Sequence, residues 1–198
     1  MHFSKLLAFY MSAASIHAAA QSLSPGEGII LAIDSVTFLS QNNLERAQNL
    51  TEENALEVGG EIVQGFGAIV KTVTGALSNV TILKSSEQPR DSINGGSILR
   101  ARQLPSPIPS VDQHAICNSF RTFILIHQQL LSIVIGEKGI LSATPFTAPL
   151  GTVLRSLEGV VDTFAFAVIA LVPGCSAHAT QLNAYLAPTL SEAADTYP

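Results

Sequence analysis

Apolar positions recur every three or four residues along most of this chain, and the few places where the pattern breaks delimit helices. Ser24-Pro25-Gly26-Glu27 has the arrangement of a capping box, with a serine N-cap, proline at the first helical position and glutamate at the third. Ile29, Ile30, Ile33, Val36 and Leu39 follow, predicting a first helix that ends near Leu44 or Gln48. Thr51 and the acidic pair Glu52-Glu53 suit the start of a second helix, where negative charge opposes the positive helix end. In that helix Leu56, Gly59, Val63, Phe66, Val70, Val73, Leu77 and Val80 step by three and four and share one stripe, which must face a partner. Gly59, Gly60, Gly65, Gly67 and Gly75 each weaken an isolated helix by about 1 kcal/mol relative to alanine, so close helix approach is expected to offset them.

From Lys84 to Pro109 the period is lost. Ser85-Ser86, Asn94-Gly95-Gly96, Pro89, Pro105, Pro107 and Pro109 interrupt any regular element, and Arg90, Arg100 and Arg102 supply its positive charge. This segment reads as a disordered linker.

Order resumes at Ser110-Val111-Asp112-Gln113, a second capping-box pattern that opens a third helix. Its buried face is expected to hold Ile116, Cys117, Phe120, Phe123, Ile124, Leu130, Leu131 and Val134, and the glycines at 136 and 139 end it. A crossover with Pro145, Phe146 and Pro149 leads to a fourth helix, about Leu150 to Val172. There Leu150, Leu154, Leu157, Val161, Phe164, Val168 and Leu171 form the apolar side, and Arg155, Glu158 and Asp162 the polar one. A last helix from about Cys175 to Leu186 is expected to break or kink at Pro188 and to end near Glu192. The fold class is therefore all-α, a single antiparallel bundle of about five helices with a disordered linker (84–109) between helices two and three.

Composition narrows the setting. Of 198 residues 47% are hydrophobic and 13% charged, with ten Lys+Arg against fifteen Asp+Glu, which excludes a disordered acidic tail and a basic nucleic-acid binder. The N-terminus has the form of a secretory signal peptide: Lys5 is the sole formal charge before Glu27, residues 6–14 are mostly apolar, and Ala18-Ala19-Ala20 provides small residues for cleavage. Residues 1–20 are read as that signal and 21–198 as the bundle domain, giving a secreted protein, extracellular or associated with the cell wall. No transmembrane anchor is expected, because Val160 to Val172 carries Asp162 and stops at Pro173-Gly174, short of the roughly 20 residues a span needs.

In an exported chain the two cysteines are expected to be oxidised. Antiparallel helices would bring Cys117, near the start of helix three, beside Cys175, just after the end of helix four. Asn49-Leu50-Thr51 and Asn79-Val80-Thr81 match the N-glycosylation pattern at Asn49 and Asn79. Candidate chemistry is sparse. His114, His127 and His178 lack ligand spacing, so no metal or cofactor is expected. Gly136-Glu137-Lys138-Gly139 lacks the remainder of a phosphate loop. Cys117 with His114 or His127 imitates a Cys-His pair but competes with the disulfide, and Glu158 with Asp162 reads as a solvated helix face. No catalytic residue emerges, and the protein reads as a non-enzyme.

What remains is an apolar surplus, which either fills the core or leaves a cleft for an acyl chain. Phe120, Phe123 and Ile124 on helix three, Phe164, Phe166 and Val168 on helix four, and Phe146 on the crossover mark the place for such a cleft. The stretch Asp112 to Pro173 also carries Ala115-Ile116-Cys117-Asn118-Ser119-Phe120-Arg121-Thr122-Phe123, His127-Gln128-Gln129-Leu130-Leu131, Ile135-Gly136-Glu137-Lys138-Gly139, Pro145-Phe146 and Leu157-Glu158-Gly159-Val160-Val161-Asp162-Thr163. In these it resembles the small secreted helical proteins of filamentous fungi described as UV-inducible. More loosely it is similar to the fungal hydrophobic surface-binding protein A and cell-wall galactomannoprotein family. The resemblance implies a fungal surface or wall protein that binds a lipid (fatty acid or sterol) or a hydrophobic surface, with roles in stress response or host infection; it brings no catalytic residues. The alternative is a virulence effector or wall structural protein with a filled core, acting on a host or cell-wall component through its outer surface.

Overall fold

The computed structural model describes residues 23–85 and 108–197, with side chains for 23–78 and 108–197. The expected signal peptide lies outside the described residues, as do most of the expected linker, with Arg90, Arg100 and Arg102, and the side chain of Asn79. Six helices are described: α1 (Pro25–Gln48), α2 (Ala55–Ser85), α3 (Ser110–Gly136), the short α4 (Lys138–Ser142), α5 (Thr147–Leu171) and α6 (Ser176–Thr196). No strand occurs among the described residues.

The five long helices close into a ring. α1 packs on α2 and α3, α2 also on α5, α5 also on α6, and α6 returns to α3. Named contacts fix their directions. Gly26 lies against Asp112, and Ser40 bonds His127, so α1 and α3 run parallel and in step. Gln113 reaches Gly174 and Gln128 reaches the carbonyl of Tyr185, which makes α3 and α6 parallel too. Phe146, at the start of α5, lies on Gly59 and Gly60 near the start of α2. Three helices therefore run one way and two the other. The sequential hairpins α1–α2 and α5–α6 are antiparallel, while the remaining three interfaces join parallel helices.

The local signals explain the element ends. At α1 the capping box forms as the sequence predicts, with the Glu27 amide donating to Ser24 Oγ at 3.2 Å and the Ser24 amide donating to Glu27 Oε2 at 2.8 Å. The α1–α2 connection is held by Asn54, whose Oδ1 accepts from the Thr51 amide and whose Nδ2 donates to the Asn49 carbonyl, so α2 begins after it and not at Thr51. The second capping box does not form. Pro109 is the N-cap of α3 and Ser110 is already helical, while Gln113 instead donates to the Ile108 carbonyl and accepts from the Gly174 amide. α6 also runs through Pro188 without ending. Pro188 and Ala184, whose carbonyl loses its helical donor there, are both on the exposed side, where water can replace the missing bond.

The stripe on α2 is turned from its expected position. Its buried positions are Ala55, Gly59, Ile62, Phe66, Ile69, Val73 and Ala76; Val63, Val70 and Leu77 sit at the margin, and Leu56 is 68% exposed. On α3 and α5 the expected faces are buried, with Cys117 and Leu171 at the margins. α3 is long and apolar enough, by length and composition alone, to cross a membrane. In this fold its apolar face is covered by α1 and α6.

Candidate functional site

The interior of the ring is built from aromatic and aliphatic side chains. Phe120, Phe123, Ile124, Phe164 and Val168 are all fully buried. The rings of Phe123 on α3 and Phe164 on α5 meet edge to face, with centroids 6.3 Å apart, and Phe120 lies 6.2 Å from Phe123. α3 and α5 are not neighbours in the ring, so the Phe123–Phe164 pair spans its centre. An acyl chain entering this axis must run along these three rings or displace them.

Two of the expected aromatic positions are not part of this cluster. Phe146 precedes the first turn of α5 and sits against Gly59 and Gly60, about 27 Å along the helix from Phe164 by helical rise. A side chain on either glycine would press on the Phe146 ring at 3.1–3.2 Å, so this pair of glycines serves close packing. Phe166 points outward and is 63% exposed.

One polar group stands inside the apolar wall. His127 is fully buried on α3, with its ring centroid 5.1 Å from that of Phe123. Its Nδ1 lies 2.9 Å from Ser40 Oγ on α1, and Ser40 Oγ lies 2.9 Å from the Val36 carbonyl oxygen one turn back. Its Nε2 has no hydrogen-bond partner among the described residues. Burial pushes the imidazole down to about 4, so the ring is neutral at physiological pH. By sequence spacing His127 could pair with Cys117 as a Cys-His couple. Cys117 is instead bonded to Cys175, which leaves no free cysteine among the described residues.

The disulfide joins α3 to the residue that caps α6, both near the same end of the bundle. It forms across two parallel helices, α3 and α6, because α6 and not α5 lies beside α3. Glu158 and Asp162, expected on a solvated helix face, are both partly buried on α5. Burial raises the Asp162 carboxyl, whose Oδ1 has no partner among the described residues. No group of three or more His, Cys, Asp or Glu residues that could hold a metal occurs among the described residues.

On the outer surface, Asn49 caps the end of α1, exposed, beside an open polar groove of about 420 Å³ lined by Asn42, Arg46, Val58 and Glu61. An Arg46–Glu61 ion pair at 3.2 Å crosses that groove. Exposure on both sides makes the pair a weak contributor to stability.

No family model matches the chain, and no curated protein matches it significantly. Among solved structures, the chain is similar to ligand binding domain 1 of the Penicillium marneffei MP1 protein, solved in complex with arachidonic acids. The TM-score is 0.68 over 88% of this chain and 99% of that domain, at 12% sequence identity. At that identity the likeness is one of fold: an all-α bundle shared with a fungal domain.

Proposed function

We propose that this protein is a secreted, non-catalytic binder of apolar ligands, taking a fatty acyl or sterol-like molecule along the axis of its helical ring. The observation that carries the reading is the likeness of the whole ring to a domain solved with arachidonic acids. The buried apolar axis at Phe120, Phe123, Ile124, Phe164 and Val168 supports it, and Phe146 flanks one end of the bundle. Export is supported by the targeting pattern at residues 1–20 and by the Cys117–Cys175 bridge, which suits an oxidising compartment. The exposed sequon at Asn49 is then a glycosylation site, and Asn79 a second. A place on the fungal surface or wall, with a role in stress or host infection, follows from the resemblance to UV-inducible proteins.

The test is native mass spectrometry of the protein secreted from a eukaryotic host, followed by organic extraction and by titration with arachidonic acid. A stoichiometric lipid, or uptake of one added fatty acid per chain, is the expected result. An empty protein that takes up none would overturn the reading.

One observation favours a second reading. Phe123 meets Phe120 beside it on α3 and Phe164 across the centre, as in a bundle whose core is complete without a ligand. Such a protein would act through its outer surface, on a wall or host component.

A further inference from the structure

The Ser40–His127 pair can be protonated in two ways, and the burial of Nε2 separates them. Ser40 has one hydroxyl proton and two neighbours at 2.9 Å, the Val36 carbonyl and His127 Nδ1. If the serine proton goes to the Val36 carbonyl, Ser40 Oγ is left as the acceptor from Nδ1–H. The opposite arrangement would place the ring proton on Nε2 and orphan a buried donor, which folded proteins tolerate less often than an under-satisfied acceptor. His127 is therefore the Nδ1–H tautomer, held by the chain Nδ1–H to Ser40 to Val36. Its Nε2 presents a bare lone pair, fully buried, beside the Phe123 ring that reaches the centre of the bundle.

Other buried polar atoms without partners differ from it. Asn43 Oδ1 is packed against Gly65 between α1 and α2, and its Nδ2 already donates to the Ile62 carbonyl. Asp162 Oδ1 and Asn183 Oδ1 belong to α5 and α6, and Asp162 is only half-buried. His127 joins an unpartnered nitrogen to the aromatic axis through its ring contact with Phe123.

An acceptor at such a place selects for a donor. We propose that His127 Nε2 accepts a hydrogen bond from a single O–H group of the bound lipid, so that the bundle prefers neutral hydroxyl lipids and undissociated acids over ethers, esters and carboxylates. This inference rests on the lipid-binding reading. A fatty alcohol or a sterol supplies one O–H and an apolar body. An ether or ester of the same chain supplies only acceptors, which would leave Nε2 facing another lone pair. A carboxylate lacks the proton as well and brings a charge with no partner, which an apolar site resists. A carboxylic acid keeps its proton and donates it, because transfer to the ring would leave two charges buried. Sites built to bond a hydroxyl discriminate against the analogue that lacks it through the polar group left unpaired.

The experiment compares oleyl alcohol with oleyl methyl ether on the full, delipidated protein by calorimetry, with ¹⁵N NMR of the histidine ring in parallel. The alcohol is expected to bind about tenfold tighter, as one neutral buried hydrogen bond implies. His127→Leu should erase that ratio, since the alcohol loses its partner and the ether no longer meets a bare lone pair. Ser40→Ala, which frees the tautomer, should reduce it. If His127→Leu does not fold, the wild-type ratio and a shift of the Nε2 resonance on adding alcohol, but not ether, decide the matter. Equal binding of both lipids with an unmoved Nε2 signal would mean that water or nothing meets this nitrogen, and would overturn the proposal while lipid binding stands. If neither lipid nor arachidonic acid binds, the lipid reading itself falls, and this inference with it.

Discussion

Tyr197, which caps α6, donates its phenolic hydroxyl to the main-chain carbonyl of Val134 near the end of α3. Its own carbonyl accepts from Arg155 Nη1 on α5 at 3.2 Å, and Gly151 leaves room for that carbonyl where any side chain would collide with it. One residue thus ties three helices at one end of the ring, while the Cys117–Cys175 bridge ties α3 to α6 at the other. Tyr197→Phe keeps the ring and removes the bond, so unfolding in urea should show a loss of about 1 kcal/mol. Tyr185→Phe, at an exposed position, should change stability by less than about 0.5 kcal/mol. Burial, and secondarily the charge of Glu137, hold the Tyr197 hydroxyl protonated well above the usual tyrosine range. Stability should therefore fall as pH rises past about 10, where unfolded tyrosine ionises.

The buried imidazole gives a second pH dependence, of opposite sense. His127 titrates at about 4 in the folded protein, against about 6.5 when unfolded, so between these values the unfolded chain binds more protons. Stability should be full above pH 7 and decline as pH falls through 6.5 towards 4. The expected loss is about 2 kcal/mol between pH 7 and pH 5. Raised by burial, Asp162 opposes this at the acid end, while Glu27 and Glu53, lowered by hydrogen bonds, add to the loss below their usual range. The histidine's share between pH 5 and 7 is therefore read by difference. Chemical denaturation of His127→Leu across that window should show the slope much reduced; an unchanged slope would mean the ring is not buried neutral.

What the sequence made legible follows from how decisively each period was written. On α3 and the first turns of α5, side chains such as Arg121, Gln128 and Arg155 mark the outer side, so Phe120, Phe123, Leu130 and Leu154 could be assigned to the core, whereas residues 164–172 are all apolar and left Phe166 beside Phe164 as a cleft candidate. On α2 the apolar residues come in adjacent pairs, Ile62-Val63, Ile69-Val70 and Ala76-Leu77, so periodicity defines a broad band without its centre. The partners α1 and α5 then select the first member of each pair. Gln113 was legible as a helix-start residue but not as the bridge to Gly174, since that contact depends on α6 returning beside α3. His127 was the hardest to place. Its spacing of four from Phe123 and three before Leu130 puts it on the core face, which is the one signal of its burial, but its partner Ser40 comes from a helix 87 residues away in sequence.

The disulfide closes a loop of 58 residues between Cys117 and Cys175. Constraining the unfolded chain over that length is worth about 4 kcal/mol in the chain-entropy picture. The double variant Cys117→Ser, Cys175→Ser should lower the urea midpoint accordingly. Because Gln113 and the neighbouring helices still hold the two ends together, it should retain the helical circular-dichroism signal of the parent at 25 °C. Loss of that signal would mean that packing on α3 and α6 depends on the bridge itself.

Glycines on α2 provide the most direct test of which helix faces are occupied. Around Gly75 nothing lies within 4 Å of where a side chain would begin, so Gly75→Ala should stabilise the protein by up to about 1 kcal/mol through helix propensity alone. At Gly65 the same methyl group would collide with the carboxamide of Asn43. That side chain cannot swing away freely, because it is buried and its Nδ2 is bonded to the Ile62 carbonyl at 3.2 Å. Gly65→Ala should therefore cost about 1–3 kcal/mol despite its better propensity, by forcing α1 and α2 apart. Differential scanning calorimetry of the two variants should move the melting temperature in opposite directions. Parallel shifts would show that α1 and α2 do not approach each other at this glycine.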